Sequence, residues 1–186
     1  MMQLFDAAGQ RKYLTPGQRL EFLSAAERAP REVYTFCATL AHTGCRISEA
    51  LALTAARVDI AAGVLILETL KRRRKGMFRA VPVPNAFLET LNLIHDLRAI
   101  GDAQLWDWSR TTAWRRVKEV MDTAAIHGLY ASAKGVRHGF GIKATASEVP
   151  LNMTQKWMGH SRLETTAIYT NAVGPEERRI AERMWG

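Results

Sequence analysis

Residues 134–141, KGVRHGFG, and residues 157–170, WMGHSRLETTAIYT, decide how this chain reads, because they set Lys134, Arg137, His138, His160 and Tyr169 on neighbouring helical segments near the C-terminus. These side chains suit an attack on a phosphodiester. Arginine offers a planar fork of donors that matches two phosphate oxygens, histidine and lysine can hydrogen-bond or move protons, and a phenol can form a covalent phosphate ester. Tyr169 follows His160 by nine residues, so a helical path between them spans no more than about 14 Å at 1.5 Å per residue. A free tyrosine titrates near pH 10 and is a poor nucleophile at neutral pH, so the phenol needs neighbouring cations or a base.

A second arginine lies upstream, in residues 43–51, TGCRISEAL. Gly44 interrupts the preceding helical pattern, and ISEALALT after it is short and helix-prone. This places Arg46 at a helix start, where backbone amides also favour an anion. Glu49 sits one turn further on and can orient Arg46 through an i,i+3 contact.

The 186 residues are enough for one sizeable core and few for two ordinary domains, so a single compact domain is expected. A content of 47% hydrophobic and 24% charged residues fits a globular chain. No apolar run approaches the ~18 residues that span a bilayer, and MMQLFDAAGQRKYL is no secretory signal. No membrane and a cytoplasmic location are therefore expected. Cys37 and Cys45 lack the paired spacing of a zinc site or disulfide framework and read as buried free thiols. A net charge of +8 favours a polyphosphate partner, nucleic acid first, through counterion release.

The remaining segments give the element pattern. Thr15 as N-cap, Pro16 at the first helical position and Gln18 closing a capping box start a helix whose apolar face reads Leu20, Leu23 and Ala26. Val33, Phe36, Cys37 and Leu40 describe a buried helix between Arg31 and Thr43. RVDIAAGVLILETL and MFRAVPVP flank the charged turn KRRRKG, which predicts a small antiparallel sheet with a basic hairpin tip. Pro84 and Asn85 open a helix through Leu97, and a further helix carries Trp114, Val117 and Met121 on one side. Trp106 and Trp108 read as core or loop anchors. From Lys134 onward, short helices are expected, broken at Gly141, Pro150, Gly159 and Gly174.

Taken together, TGCRISEAL, KGVRHGFG and GHSRLETTAIYTN resemble the tyrosine recombinase, or phage integrase, family, and the likeness runs from about Tyr13 to the end of the chain. The resemblance implies a mainly α catalytic domain with a small three-stranded antiparallel β-sheet (α+β). It implies site-specific DNA recombination, as in the integration of a mobile element, through a 3′-phosphotyrosyl intermediate. Tyr169 would be the nucleophile, Arg46 and Arg137 would grip the nonbridging oxygens, and His160 would hydrogen-bond the scissile phosphate. Glu49 and His138 would support them from behind. Lys134 stands where family members often have histidine. The proton donor to the leaving 5′ oxygen would be Lys71 or Lys75, with Lys71 favoured because it ends a strand. Arg72, Arg73, Arg74 and Lys75 would form an electrostatic DNA-binding tip. No metal or other cofactor is expected, since these cations supply the charge a magnesium ion would bring.

The family usually carries a helical DNA-binding domain before the catalytic one. Here about a dozen residues precede YLTPGQ, so the expectation is one catalytic domain over residues 1–186, with 1–12 an extension and the usual first domain absent. Residues 170–186 would form a tail helix presenting Ile180, Met184 and Trp185, either to an adjacent protomer or to its own domain. The partners implied are double-stranded DNA, further copies in a cyclic tetramer, and accessory DNA-binding proteins. Two alternatives are a type IB topoisomerase and a DNA-binding regulator that kept the fold and lost catalysis.

Overall fold

The computed structural model describes residues 4–70, 76–171 and, in the tail, residues 178, 181, 182 and 184. Helix α1 (Pro16–Glu27) begins with the expected capping box: Thr15 Oγ1 accepts from the Gln18 amide and Gln18 Oε1 from the Thr15 amide, each at 3.2 Å. These bonds satisfy two backbone donors that a helix start leaves orphaned. The buried face of α1 is Phe22, Ala25 and Ala26, whereas Leu20 lies 66% exposed. Of the expected face Ala26 is buried and Leu23 packs against the core, while Leu20 alone turns to solvent and Phe22 and Ala25 take its place.

Helix α2 (Arg31–Thr43) is the central strut, with Val33, Phe36, Cys37, Leu40 and their neighbours all buried. It packs against α1 and against four later helices, and both cysteines are free and buried. Gly44 ends it in the left-handed conformation (φ 62°), donating its amide to the Leu40 carbonyl at 2.9 Å. Two residues later the chain starts α3 (Ile47–Leu51), with Arg46 at its N-cap.

Three antiparallel strands follow in the order β1 (Val58–Asp59), β2 (Val64–Glu68) and β3 (Phe78–Pro82). The register pairs Leu65 with Val81 and Leu67 with Arg79. By period-2 alternation Leu65, Leu67, Arg79 and Val81 all face inward and are buried. An arginine in that row is the sheet's anomaly. The hairpin tip, Lys71 to Lys75, lies outside the described residues.

Helix α4 (Asn85–His95) stops before Leu97, because Asp96 turns left-handed (φ 44°) and a short α5 (Leu97–Ile100) continues in a new direction. Trp106 is buried, donates Nε1 to the Glu32 carbonyl at 3.0 Å, and stands edge-on to Phe36 and His95; Trp108 tilts over Phe36. Both tryptophans anchor the core. In α6 (Arg110–Thr123), Val117 and Met121 are buried with Ala113 and Val120, while Trp114 is half exposed.

Helix α7 (Ala133–Ala146) runs through the middle of the molecule, packed on α1, α2 and the C-terminal segments. Gly141 does not break it, contrary to the sequence expectation. Helix α8 (Leu151–Met158) starts after Pro150 and ends at Gly159, also left-handed (φ 65°). A short α9 (Glu164–Ala167) leads into a 3₁₀ turn, Ile168–Asn171. In the tail, Met184 is exposed, and Ile180 and Trp185 lie outside the described residues. Among the described residues no helix is long and apolar enough to cross a membrane.

The turn at Gly44 gives a direct test. A Cβ there would stand 2.6 Å from the Phe140 ring, on top of the strain of a positive φ. Gly44→Ala is expected to lower the unfolding free energy by roughly 2 kcal/mol, measured by urea denaturation. A variant as stable as the parent would show that the left-handed turn carries no constraint.

Candidate active site

Arg46 reaches its position because α3 begins immediately after the Gly44 turn. Glu49 on the first turn of that helix accepts twice from it: the Arg46 amide donates to Oε2 at 3.0 Å and Nη1 to Oε1 at 2.7 Å. The Glu49 side chain is fully buried, while that of Arg46 is 31% exposed. The carboxylate thus holds one edge of the guanidinium inside and leaves the rest toward solvent, as the i,i+3 spacing suggested. A second cation, Arg79 from β3, donates Nη2 to Glu49 Oε2 at 2.7 Å. Burial alone would raise the Glu49 carboxyl, but Arg79, the Arg46 amide and Arg46 itself hold it below the usual carboxylate range.

Arg137 lies inside α7, buried, and spends its fork on two backbone carbonyls: Nη1 on Gly44 O and Nη2 on Met158 O, the latter at 2.8 Å. It ties the turn that precedes Arg46 to the turn that precedes His160. Burial, and then Arg46 beside it, lower its guanidinium to about 10. It stays charged at neutral pH.

His160 is buried, with Nδ1 2.9 Å from Thr166 Oγ1 and Nε2 lacking any partner. Its imidazole is pushed down to about 3 by burial, and then by Arg137 and Arg46. It is therefore a neutral ring beside two arginines. Tyr169 stacks on it with centroids 6.3 Å apart and planes 18° from parallel.

Tyr169 itself is fully buried, and its hydroxyl lies 3.3 Å from His138 Nδ1. Its ring sits on α7 where Gly141 has no side chain; a Cβ at that position would fall 2.4 Å from Cε2. This close approach is why a glycine interrupts the sequence pattern without interrupting the helix. Leu4, Tyr13, Ile142 and Met158 complete the pocket, so the N-terminal segment helps to cover the phenol. Burial raises its pKa, against the pull of Arg137 and Arg46. The sequence suggested cations favouring phenolate; here desolvation wins and the group is a neutral phenol. His138, likewise buried, is lowered to about 4 by burial, Lys134, Arg137 and Lys12.

The structure thus brings Arg46, Glu49, Arg137, His138, His160 and Tyr169 into one cluster. Lys134 lies on the first turn of α7, exposed, close enough to act electrostatically on His138. Lys71, Arg72, Arg73, Arg74 and Lys75 lie outside the described residues. Arg79 was missed in the sequence, although its alternation with Val81 in a strand placed it on the core face, where a charge demands a partner.

Residues 12–174 match the family model described as the phage integrase family. The chain belongs to the phage integrase family. Among relatives of this integrase-family chain, the tyrosine recombinase XerA of Pyrococcus furiosus is 26% identical over 150 residues, covering 76% of this chain and 50% of the relative. XerD of Haemophilus influenzae is 25% identical over 186 residues, covering 93% and 62%. The chain spans about half the length of the first curated relatives it matches. Among solved structures, a XerA recombinase superposes with a TM-score of 0.80 at 22% identity, covering 92% of this chain and 64% of that one. The catalytic domain of bacteriophage HP1 integrase gives 0.68 at 18%, covering 92% and 95%. These likenesses establish the integrase catalytic-domain fold, mainly helical with its three-stranded antiparallel sheet.

The buried and half-buried histidines of the integrase fold make a pH prediction. His42, His95, His138 and His160 all have folded-state values below the ordinary 6.5. Below that value the unfolded chain binds more protons than the folded one, so stability is full above about pH 6.5 and is lost as pH falls toward 3. Each such proton contributes a slope of about 1.4 kcal/mol per pH unit. Urea denaturation between pH 8 and 4 should show that decline, and His160→Asn should flatten it by about one proton. An unchanged slope in that variant would show His160 already charged in the folded protein.

Proposed function

We propose that this chain is the strand-cutting domain of a site-specific tyrosine recombinase. The observation that carries the reading is the convergence of two arginines and a neutral histidine around one tyrosine, supported by family membership. Arg46, with its guanidinium partly exposed and oriented by Glu49, and Arg137 behind it, bring positive charge to the position of a bound phosphate. If the Thr166 hydroxyl donates to His160 Nδ1, Nε2 carries the ring proton and has no acceptor inside the protein. A nonbridging phosphate oxygen supplies one.

The Tyr169 oxygen then bonds to phosphorus as the phenol gives its proton to solvent water, and the bond from phosphorus to the 5′ oxygen breaks. The products are a 3′-phosphotyrosyl protein and a 5′ hydroxyl. Lys71, with Lys75 as its competitor, is the proton donor to that hydroxyl, and Lys134 adds charge at the phosphate. The stored ester lets a different 5′ hydroxyl reverse the step, which exchanges strands without an external energy source. A duplex phosphate cannot meet a phenol buried as Tyr169 is, so cutting requires the turn at 168–171 to swing outward. This movement also uncovers the face of His160.

The XerH recombinase and the Tn1549 integrase, whose solved complexes contain DNA, support double-stranded DNA as the partner. The basic tip, residues 71–75, and the net charge of +8 agree with it. Work in the cytoplasm on a mobile element, as a tetramer with accessory proteins and with the tail on a neighbour, completes the proposal.

Nicked duplexes that trap cleavage, drawn from DNA flanking the gene, provide the test. The parent protein should give a covalent adduct on a denaturing gel, and Tyr169→Phe should give none while binding the same DNA with salt-sensitive affinity. Binding without any adduct from the parent would instead favour the regulator.

A further inference from the structure

We propose that Arg79 is a positioning residue that holds the Arg46 segment, the His160 segment and the end of β2 in one fixed arrangement; the inference rests on the strand-cutting reading above. Arg79 is only 6% exposed, and all three of its nitrogens are committed. Nη2 donates to Glu49 Oε2 at 2.7 Å, Nε to the Trp157 carbonyl at 2.7 Å, and Nη1 to Thr69 Oγ1 at 2.9 Å. Each acceptor belongs to a different part of the site. Glu49 is the carboxylate that orients Arg46, Trp157 lies in the last turn before His160, and Thr69 directly follows β2.

The fit is close on the His160 side. A Cβ at Gly159 would stand 3.0 Å from Arg79 Cζ and Nη1, so the turn leaves no room for a side chain where the guanidinium lies. Each nitrogen of Arg79 is engaged inside the protein and its side chain is buried, so it acts on the phosphate ligands and not on the phosphate. Only a rigid planar fork serves three acceptors in fixed directions; a lysine is a point charge on a flexible stem. A buried ion pair seldom stabilises a fold more than apolar residues of the same volume. What Arg79 contributes is therefore geometry: small misplacements of groups around a reacting centre can cost about a hundredfold in rate.

The test compares the parent chain with Arg79→Lys, which keeps the charge opposite Glu49. Three quantities are read: the unfolding midpoint, the dissociation constant for duplex DNA, and the single-turnover rate of adduct formation on the nicked substrate. Hydrogen exchange at the Arg46 and His160 amides is read alongside, with α2 amides as reference. The expected result is a similar midpoint and DNA affinity within about threefold, since exposed phosphate contacts dominate it. Adduct formation should slow by about a hundredfold, and the Arg46 and His160 amides should exchange about tenfold faster while α2 is unchanged. Parental rate and parental exchange would overturn the proposal. So would faster exchange throughout α2 with a lowered midpoint, which marks a merely structural residue. If the parent itself forms no adduct, the strand-cutting reading falls, and exchange at the two amides still decides whether Arg79 fixes them. Should Arg79→Lys not fold, Arg79→Gln, which leaves Glu49 still paired with Arg46, carries the same readouts.

Discussion

The guanidinium of Arg137 is the point on which the candidate site depends. Its two bonds to the carbonyls of Gly44 and Met158 join a turn near the start of the chain to one near its end, across 93 and 21 residues of sequence respectively. Both carbonyls terminate helices, where the last acceptors have no partner in the helix itself. A buried arginine satisfies them and is satisfied by them. That exchange gives α3 and the segment after α8 a shared reference, which Arg79 reinforces from β3 through Glu49 and the Trp157 carbonyl, so that Arg46 and His160 face the same space.

The layer around this clamp is built from charge. Glu49 sits between Arg46 and Arg79, and its carboxylate lies lower than burial alone would place it because both cations surround it. The histidines take the opposite part: burial and the neighbouring cations, Lys134 and Arg137 for His138 and Arg137 and Arg46 for His160, keep both rings neutral. Fixed positive charge comes from groups that cannot lose it at neutral pH, and the rings that must donate or accept stay uncharged. Tyr169 is read the same way, as a neutral phenol in a desolvated pocket.

Much of this was legible in the sequence, for identifiable reasons. The Thr15 to Gln18 capping box and the Gly44 break are local, and local signals survive folding. The spacing of Arg46 and Glu49 survives too, since one helical turn fixes it. What failed was whatever depended on a partner distant in sequence. Leu20 and Trp114 satisfy their helices' apolar periodicity, yet the packing faces lie to one side of them. Gly141 reads as a breaker until the Tyr169 ring is placed over it. Arg79 reads as a basic strand residue until Glu49, Trp157 and Thr69 are seen to meet there, and the inward orientation of Tyr169 has no local signal at all.

The seat of Tyr169 on Gly141 makes the candidate nucleophile part of the second hydrophobic cluster, with Leu4, Tyr13, Ile142 and Met158. A side chain that leaves such a seat leaves a vacancy, and emptying an aromatic site in a packed interior costs on the order of 3 kcal/mol. The outward pose proposed for strand cutting is thus a spring held open only while something outside the protein compensates it. Once that compensation ends, refilling the vacancy draws the phenol home, and the molecule resets itself by the same packing force that folded it.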